Sequence, residues 1–310
     1  MSRPEPPRYR TTNWKTYNAA LKSRGALTVW FDRDMQWLAL PSGKTGRNPT
    51  FSDAAVQFCL TVKSLFGMPL RQTTGFVHSL LQLSGLEWPV PDYSTLCRRQ
   101  KRIRVVIPYR PQPAGLHLLI DSTGVKMLGE GEWKRKKHGA DYRRKWRKVH
   151  LGIDAQTLEI RAIAITDSRI GDAPMLPELL EQIPESEPVL SVSADGAYDT
   201  KACHEAIALR QAAAVIPVRK NGKPWKGSSA GALARNEILT ASEDLGRPLW
   251  KRWSGYHRRS LVETKMRCYK LLGERVMARD FDRQVAELQI RAVILNRFTQ
   301  LGTPHTLRVA

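Results

Sequence analysis

Cysteine is scarce in this 310-residue chain, and the four present, Cys59, Cys97, Cys203 and Cys268, are scattered with no C-x-x-C pair. That excludes a disulfide framework and a thiolate zinc site, and the four read as reduced thiols of a cytoplasmic protein. Long apolar runs are missing as well. No stretch approaches the roughly 20 residues a transmembrane helix needs, and the Pro- and Arg-containing first ten residues lack the apolar segment of a secretory signal. No membrane partner is therefore expected. The sequence has no internal repeat and no low-complexity tract, so a solenoid is not expected. Acidic residues are in short supply: 29 Asp plus Glu face 50 Lys plus Arg, a formal charge of +21. This excess is larger than solubility requires and points to a polyanionic partner. Nucleic acid fits best, because neutralising many phosphates releases counterions. With 42% hydrophobic residues the chain can bury a sizeable core. Composition does not separate a basic binding protein from a basic enzyme.

What is present changes texture along the chain. The first 45 residues mix Trp14, Trp30, Phe31 and Trp37 with turn formers and show no clear period. From Ser52, a suitable N-cap, Val56, Cys59, Leu60 and Phe66 come at mostly helical spacing until Gly67 and Pro69 stop the pattern. A second helix is expected over 70–84 and a third from Asp92 or Ser94 to about Arg104. The third carries Leu96 and Cys97 inward and Arg98, Arg99, Lys101, Arg102 and Arg104 around the remainder. Two helices, a turn and a basic helix are the parts of a helix-turn-helix, whose basic helix lies in the major groove. A plain helical bundle with a solvated basic face fits the same pattern. The expected N-terminal all-α, helix-turn-helix-like DNA-binding region is residues 1–107, with a Pro-rich linker after it over 108–116.

Beyond the linker the pattern turns to short strands interleaved with helices. Apolar runs at 117–120, 149–153, 158–165, 188–193 and 213–218, with helices over 174–183 and 200–211, predict an α/β domain on a mixed five-stranded sheet. Its first part is 117–219. A loop-rich insertion is expected over 220–250, where Gly222, Pro224, Gly227, Ser228, Ser229 and Gly231 cluster. The domain resumes over 251–310 with a helical stretch from Ser254 to Leu272 and a closing helix whose Val285, Leu288, Ala292 and Leu295 share one face.

Two carboxylates stand at strand ends: Asp121 after Leu-Leu-Ile and Asp195 after Val-Leu-Ser-Val-Ser-Ala. An acid at the edge of an apolar core is costly unless its charge is compensated, and a divalent cation would do so. Each also has a plainer reading as a turn former or cap. Asp199, four residues after Asp195, is a competing candidate. Glu263 is one of several downstream acids, notable only for lying in a stretch, 251–275, with eight Lys or Arg and two acids. An intrahelical ion pair explains such a glutamate equally well.

Tyr256, Arg259, Glu263 and Lys270 match Y-x2-R-x3-E-x6-K, and Asp121-Ser-Thr-Gly and Ala-Asp195-Gly-Ala-Tyr-Asp199 accompany it. With these motifs the chain resembles, from Asp121 to Lys270, the DDE transposases of insertion sequence family 5. The resemblance implies an RNase H-like core in which Asp121, Asp195 and Glu263 bind two Mg²⁺ or Mn²⁺ ions. It also ranks Asp195 above Asp199, since the family ligand precedes Gly. Arg259 and Lys270 are then expected to grip phosphates, with Tyr256 beside them on one helix face. The implied activity is recognition of the inverted repeats of a mobile element, hydrolysis at its ends to free 3′-hydroxyls, and their joining to target DNA. The implied assembly is a homodimer or larger complex on double-stranded DNA, in the bacterial cytoplasm and on the nucleoid when bound. Two other readings remain: a tyrosine recombinase acting through Tyr256, and a DNA-binding regulator with an inactive core.

From Lys134 to Lys148 nine Lys or Arg accompany a single acid, with Trp133, Tyr142 and Trp146 interleaved. Cations with flat rings suit nucleic acid, which makes Lys134, Arg135, Lys136, Lys137, Arg143, Arg144, Lys145, Trp146 and Arg147 candidate DNA contacts. Trp225, Trp250 and Trp253 bracket the insertion, where a ring stacks on a base or packs in the core.

Overall fold

The computed structural model describes residues 8–32, 34–41, 43, 46, 48–128 and 146–309, in which the chain forms eleven α-helices and eight strands. Two compact units result, Met1–Arg99 with Val293–Ala310, and Gln100–Ala292.

The first unit opens with β1 (Arg8–Thr11) and continues through α1 (Trp14–Arg24), α2 (Leu27–Trp30), α3 (Asp53–Phe66) and α4 (Leu70–Leu83) to α5 (Tyr93–Gln100) at its boundary. Helix α3 begins where the Ser52 hydroxyl accepts the Ala55 N–H at 3.0 Å, and it ends at Gly67, whose φ of 63° suits a residue without a Cβ. Its Ala55, Val56, Cys59 and Leu60 are buried. Helix α5 is shorter than expected. It starts with the Asp92 carboxylate accepting the Ser94 N–H and stops at Gln100, not near Arg104. The β-branched run Val105-Val106-Ile107 ahead of Pro108 disfavours helix, and Lys101 turns aside to Asp280 at 3.3 Å.

The second unit contains β2 (Leu116–Met127), β3 (Trp146–Asp154), β4 (Ile160–Asp167), α6 (Met175–Glu181), β5 (Val189–Ser193), α7 (Lys201–Leu209), β6 (Ala213–Val215), α8 (Ala230–Asp244), α9 (Arg247–Trp253), α10 (Ser260–Leu271), β7 (Arg275–Val276) and the start of α11 (Phe281–Leu301). The closing strand β8 (Thr306–Val309) pairs antiparallel with β1 in the first unit. The larger sheet runs β4-β3-β2-β5-β6, with β7 also on β2. Strand β3 is antiparallel to β2 and β4, whereas β5 and β7 run parallel to β2, so the sheet is mixed. Leu116, Leu118 and Ile120 on one face of β2 meet Leu176 and Leu179 of α6 and Ile207 of α7 in the main core.

Two details position the site. Strand β2 does not end at Ile120; it continues to Met127, with Asp121 paired to Leu151 of β3. On its other edge β5 leaves after Leu119↔Ser193, and β7 joins only at Lys126↔Arg275. The intervening edge, beginning at Asp121, is therefore a notch between two parallel neighbours.

The expected loop-rich insertion over 220–250 is largely helical. The Gly, Ser and Pro residues belong to its lead-in and cap, where Ser229 accepts the Ala232 N–H, and the alanine-rich sequence after them sustains α8. Gly231 lets α8 lie against α7, since a Cβ there would stand 2.6 Å from the Glu205 backbone nitrogen. Pro248 sits in the first turn of α9, where its missing N–H costs nothing. The stretch from Ser254 is likewise divided: Tyr256–Arg259 is a 3-10 turn, and the α-helix starts at Ser260.

Candidate active site

Three elements deliver the candidate carboxylates. Asp121 lies within β2 at the notch. Asp195 comes two residues after β5, and the register Leu119↔Ser193 carries both acids to the same level of neighbouring parallel strands. Glu263 stands in the first turn of α10, where a carboxylate is favoured by the helix dipole.

Arg259 joins two of them. Its Nη1 donates to Asp121 Oδ2 at 2.6 Å and its Nη2 to Glu263 Oε1 at 2.6 Å. The i, i+4 ion pair that is the plain alternative for Glu263 thus forms, with Asp121 as a third member. Burial pushes the Asp121 carboxyl above its usual range; the Ser122 amide and Arg259 pull it back, and the Asp195 charge pushes it up again. Asp195 also acts on Arg259, so all three acids share one electrostatic neighbourhood. Among the described residues no group of three His, Cys, Asp or Glu is gathered as a metal cluster. The oxygen-only donor set nevertheless suits a hard divalent cation, and one guanidinium already spans two of its members.

Lys270 and Glu263 flank an open groove of about 700 Å³ together with Asp121, Ser122, Thr123 and Arg267. Arg267 stands outside the motif; its position four residues after Glu263 on the helix is the signal that finds it. Tyr256 is half-buried, its ring 6.3 Å from Trp250 with Lys251 over it at 5.2 Å. Burial raises the Tyr256 phenol, an unfavourable setting for a nucleophile.

The remaining candidates separate. Asp199 is spoken for: burial pushes its carboxyl up, but His204 at 3.3 Å, Arg235 Nε at 3.3 Å and the Arg219 N–H at 3.2 Å together hold it down at about 2. Asp195 accepts only its own turn's Ala197 N–H in the hydrogen bonds resolved. Of the basic helix cations, Arg99 binds Asp53 at 2.5 Å and Lys101 binds Asp280, while Arg98 and Arg102 are exposed. Lys101 and Arg102 fall beyond the end of α5. Arg147 is engaged by Asp167 and Gln284, and the Trp146 ring lies against Gly124. Lys134, Arg135, Lys136, Lys137, Arg143, Arg144 and Lys145 lie outside the described residues. Trp250 is buried, Trp225 packs on the Arg235 guanidinium at 4.6 Å, and Trp253 is 74% exposed.

Residues 112–297 match a family model described as a transposase DDE domain, and residues 22–130 match a second model of the same description. The match over 112–297 contains Asp121, Asp195 and Glu263 together. No helix among the described residues is long and apolar enough to cross a membrane.

Proposed function

Because the chain belongs to the transposase DDE-domain family, we propose that it binds the terminal inverted repeats of an insertion sequence of family 5, cuts the phosphodiester at each end to free a 3′-hydroxyl, and joins that hydroxyl to target DNA. The observation that carries this reading is the convergence of Asp121, Asp195 and Glu263, from three separate elements, on one electrostatic neighbourhood beside a groove walled by Arg267 and Lys270. The mixed sheet with helices agrees with an RNase H-like core.

DDE transposase domains are typically dependent on divalent metal. Asp121, Asp195 and Glu263 would hold Mg²⁺ or Mn²⁺, two ions per site, which supply charge neutralisation and an activated attacking oxygen. In the first step the oxygen of water bonds to phosphorus while the bond to the element's 3′ oxygen breaks, and that oxygen leaves as a hydroxyl. In the second, this 3′-hydroxyl attacks a target phosphorus and displaces a target 3′ oxygen. The residues' work is placement. Asp121 is fixed by the β2–β3 ladder, and its burial makes its charge expensive until compensated. Arg259 supplies that compensation in the free protein and turns to the scissile phosphate once the acids are otherwise neutralised. Lys270 and Arg267 hold phosphates along the groove, and Tyr256 packs beside Arg259. The helices of 1–107 read the repeat, with Arg98 and Arg102 toward DNA, the cations of 134–145 meet phosphates, and two chains hold the paired ends.

The test is a duplex carrying the element ends with flanking DNA, incubated with Mg²⁺ and mapped for nicks. Asp121→Asn, Asp195→Asn and Glu263→Gln should each abolish nicking while retaining binding. Full activity in any one removes that residue from the triad; a protein–DNA adduct formed in EDTA would replace the reading with Tyr256 chemistry.

A further inference from the structure

Asp195 is the N-cap of a short 3-10 turn, Gly196–Tyr198, that follows β5, with Tyr198 seated in the main core. Tyr198 anchors one side of the turn in the core, and the Gly196 and Ala197 carbonyls are gripped from outside it. Asp199, the fourth residue on, does the gripping through two arginines. Its carboxylate accepts the backbone N–H of Arg219, and the Arg219 side chain returns to the turn, Nε to the Gly196 carbonyl at 3.3 Å and Nη2 to the Ala197 carbonyl at 3.4 Å. The loop is closed in both directions: the acid fixes the arginine's backbone, and the arginine fixes the turn that presents Asp195. Gly196 is close-packed here too, since a Cβ on it would lie 3.3 Å from the Pro217 carbonyl.

The second arginine extends the clasp. Arg235 of α8, 1% exposed, gives Nε and Nη2 to the two oxygens of Asp199 and Nη1 to the Lys223 carbonyl at 2.6 Å. Trp225 covers its guanidinium face. A buried charge with this many directed bonds is expensive to assemble and holds its partners in one geometry. His204 Nε2 also stands 3.3 Å from Asp199 Oδ1; neutralising Arg235 accounts for the acid, and the return of the Arg219 side chain to the turn is what ties that acid to Asp195.

We propose that Asp199 is a positioning residue: through Arg219 and Arg235 it locks the turn bearing Asp195 to the 219–244 segment, setting where the Asp195 carboxylate stands. The inference rests on Asp195 being a metal-binding acid, the reading given above. It predicts that loosening the clasp weakens divalent binding without weakening the grip on DNA.

Arg219→Ala is the cleaner variant, because its guanidinium is exposed and its removal leaves no buried charge unpaired. Asp199→Asn is the second; if it fails to fold, because Arg235 loses its counter-charge, Arg219→Ala decides. Three quantities are read on the full chain: Mn²⁺ dependence of nicking, the rise in Tm on adding Mn²⁺ without DNA, and duplex affinity in EDTA. For Arg219→Ala the Mn²⁺ concentration for half-maximal nicking should rise about tenfold, the Mn²⁺-induced rise in Tm should shrink, and duplex affinity should stay near wild type. Arg219→Lys, which keeps one donor within reach, should recover part of the loss. An unchanged Mn²⁺ midpoint and unchanged thermal response overturn the proposal. A loss of duplex affinity with an unchanged Mn²⁺ midpoint also overturns it, assigning Arg219 to DNA instead. If the wild-type chain neither nicks nor responds to Mn²⁺, it is the proposed function that fails. Amide exchange at Gly196–Asp199 then decides the clasp: faster exchange in Arg219→Ala supports it, and equal exchange removes it.

Discussion

Removing Arg259 should make the protein less stable without metal and more responsive to it. In Arg259→Ala the Asp121 side chain, 18% exposed, loses a 2.6 Å charge-assisted bond and is left facing the charge of Asp195. Breaking a fully buried pair costs about 3–5 kcal/mol. Glu263 is 56% exposed and contributes little, so about 1–3 kcal/mol is expected from Asp121 alone. For a unit of this size that is a fall of roughly 2–12 °C in Tm. The deficit should shrink as pH falls through the raised Asp121 pKa, because protonation removes the unpaired charge. Mn²⁺ binds the acids without having to displace a guanidinium, so its stabilisation, about 2.7 kcal/mol at a hundredfold excess over Kd, sets in at lower concentration than in wild type. Thermal melts in EDTA and across a Mn²⁺ series measure both effects, and Arg259→Ala/Asp121→Asn should recover most of the loss in EDTA. The reasoning is refuted if Arg259→Ala melts at or above wild type in EDTA, or if Mn²⁺ lifts it less than it lifts wild type.

Three further outcomes rest on local geometry. Burial pushes His150 down to about 4 against the pull of Asp172, so the unfolded chain takes up a proton near 6.5 that the folded chain refuses. Stability should therefore be lost as pH falls from 6.5 toward 4, by on the order of 2 kcal/mol, and His150→Asn should flatten that slope in melts run against pH. Gly231→Ala should cost about 1–3 kcal/mol by driving a Cβ into the α7 backbone, whereas Gly75→Ala, with open space around it inside α4, should gain roughly 0.5–1 kcal/mol; denaturant midpoints compare the two. Trp253→Ala should leave stability within about 0.5 kcal/mol while weakening duplex binding in fluorescence anisotropy, because its ring is exposed beside Lys251 and Arg252.

Which parts of this architecture are legible in the sequence depends on the range of the forces involved. Strands β3, β4 and β5 and helices α3, α4, α6 and α7 announce themselves through alternation, period and caps, all of them local. The end of α5 is obscured because Lys101, Arg102 and Arg104 are themselves good helix formers. The start of α8 is obscured because Gly and Ser clusters mark loops and helix caps alike, and only the alanines after the cluster tell the two apart. The length of β2 is hidden because Asp121-Ser-Thr-Gly reads as a turn, and its β3 partners lie beyond a long basic stretch. At the site the limit is sharper. The i, i+4 spacing makes Arg259–Glu263 visible in the sequence, but Arg259–Asp121 spans 138 residues and is created only by folding. The same holds for Asp199, which motif spacing ranks just behind Asp195 and which the fold distinguishes by its surroundings: two arginines and a histidine around one acid, a self-amide alone bonded to the other. Drawing Asp199 to a cation would strip the 1% exposed Arg235 of its counter-charge, whereas Asp195, bonded to its own turn's Ala197 amide, leaves no buried cation behind. The choice between the two aspartates therefore rests on their partners and not on their distance from the strand.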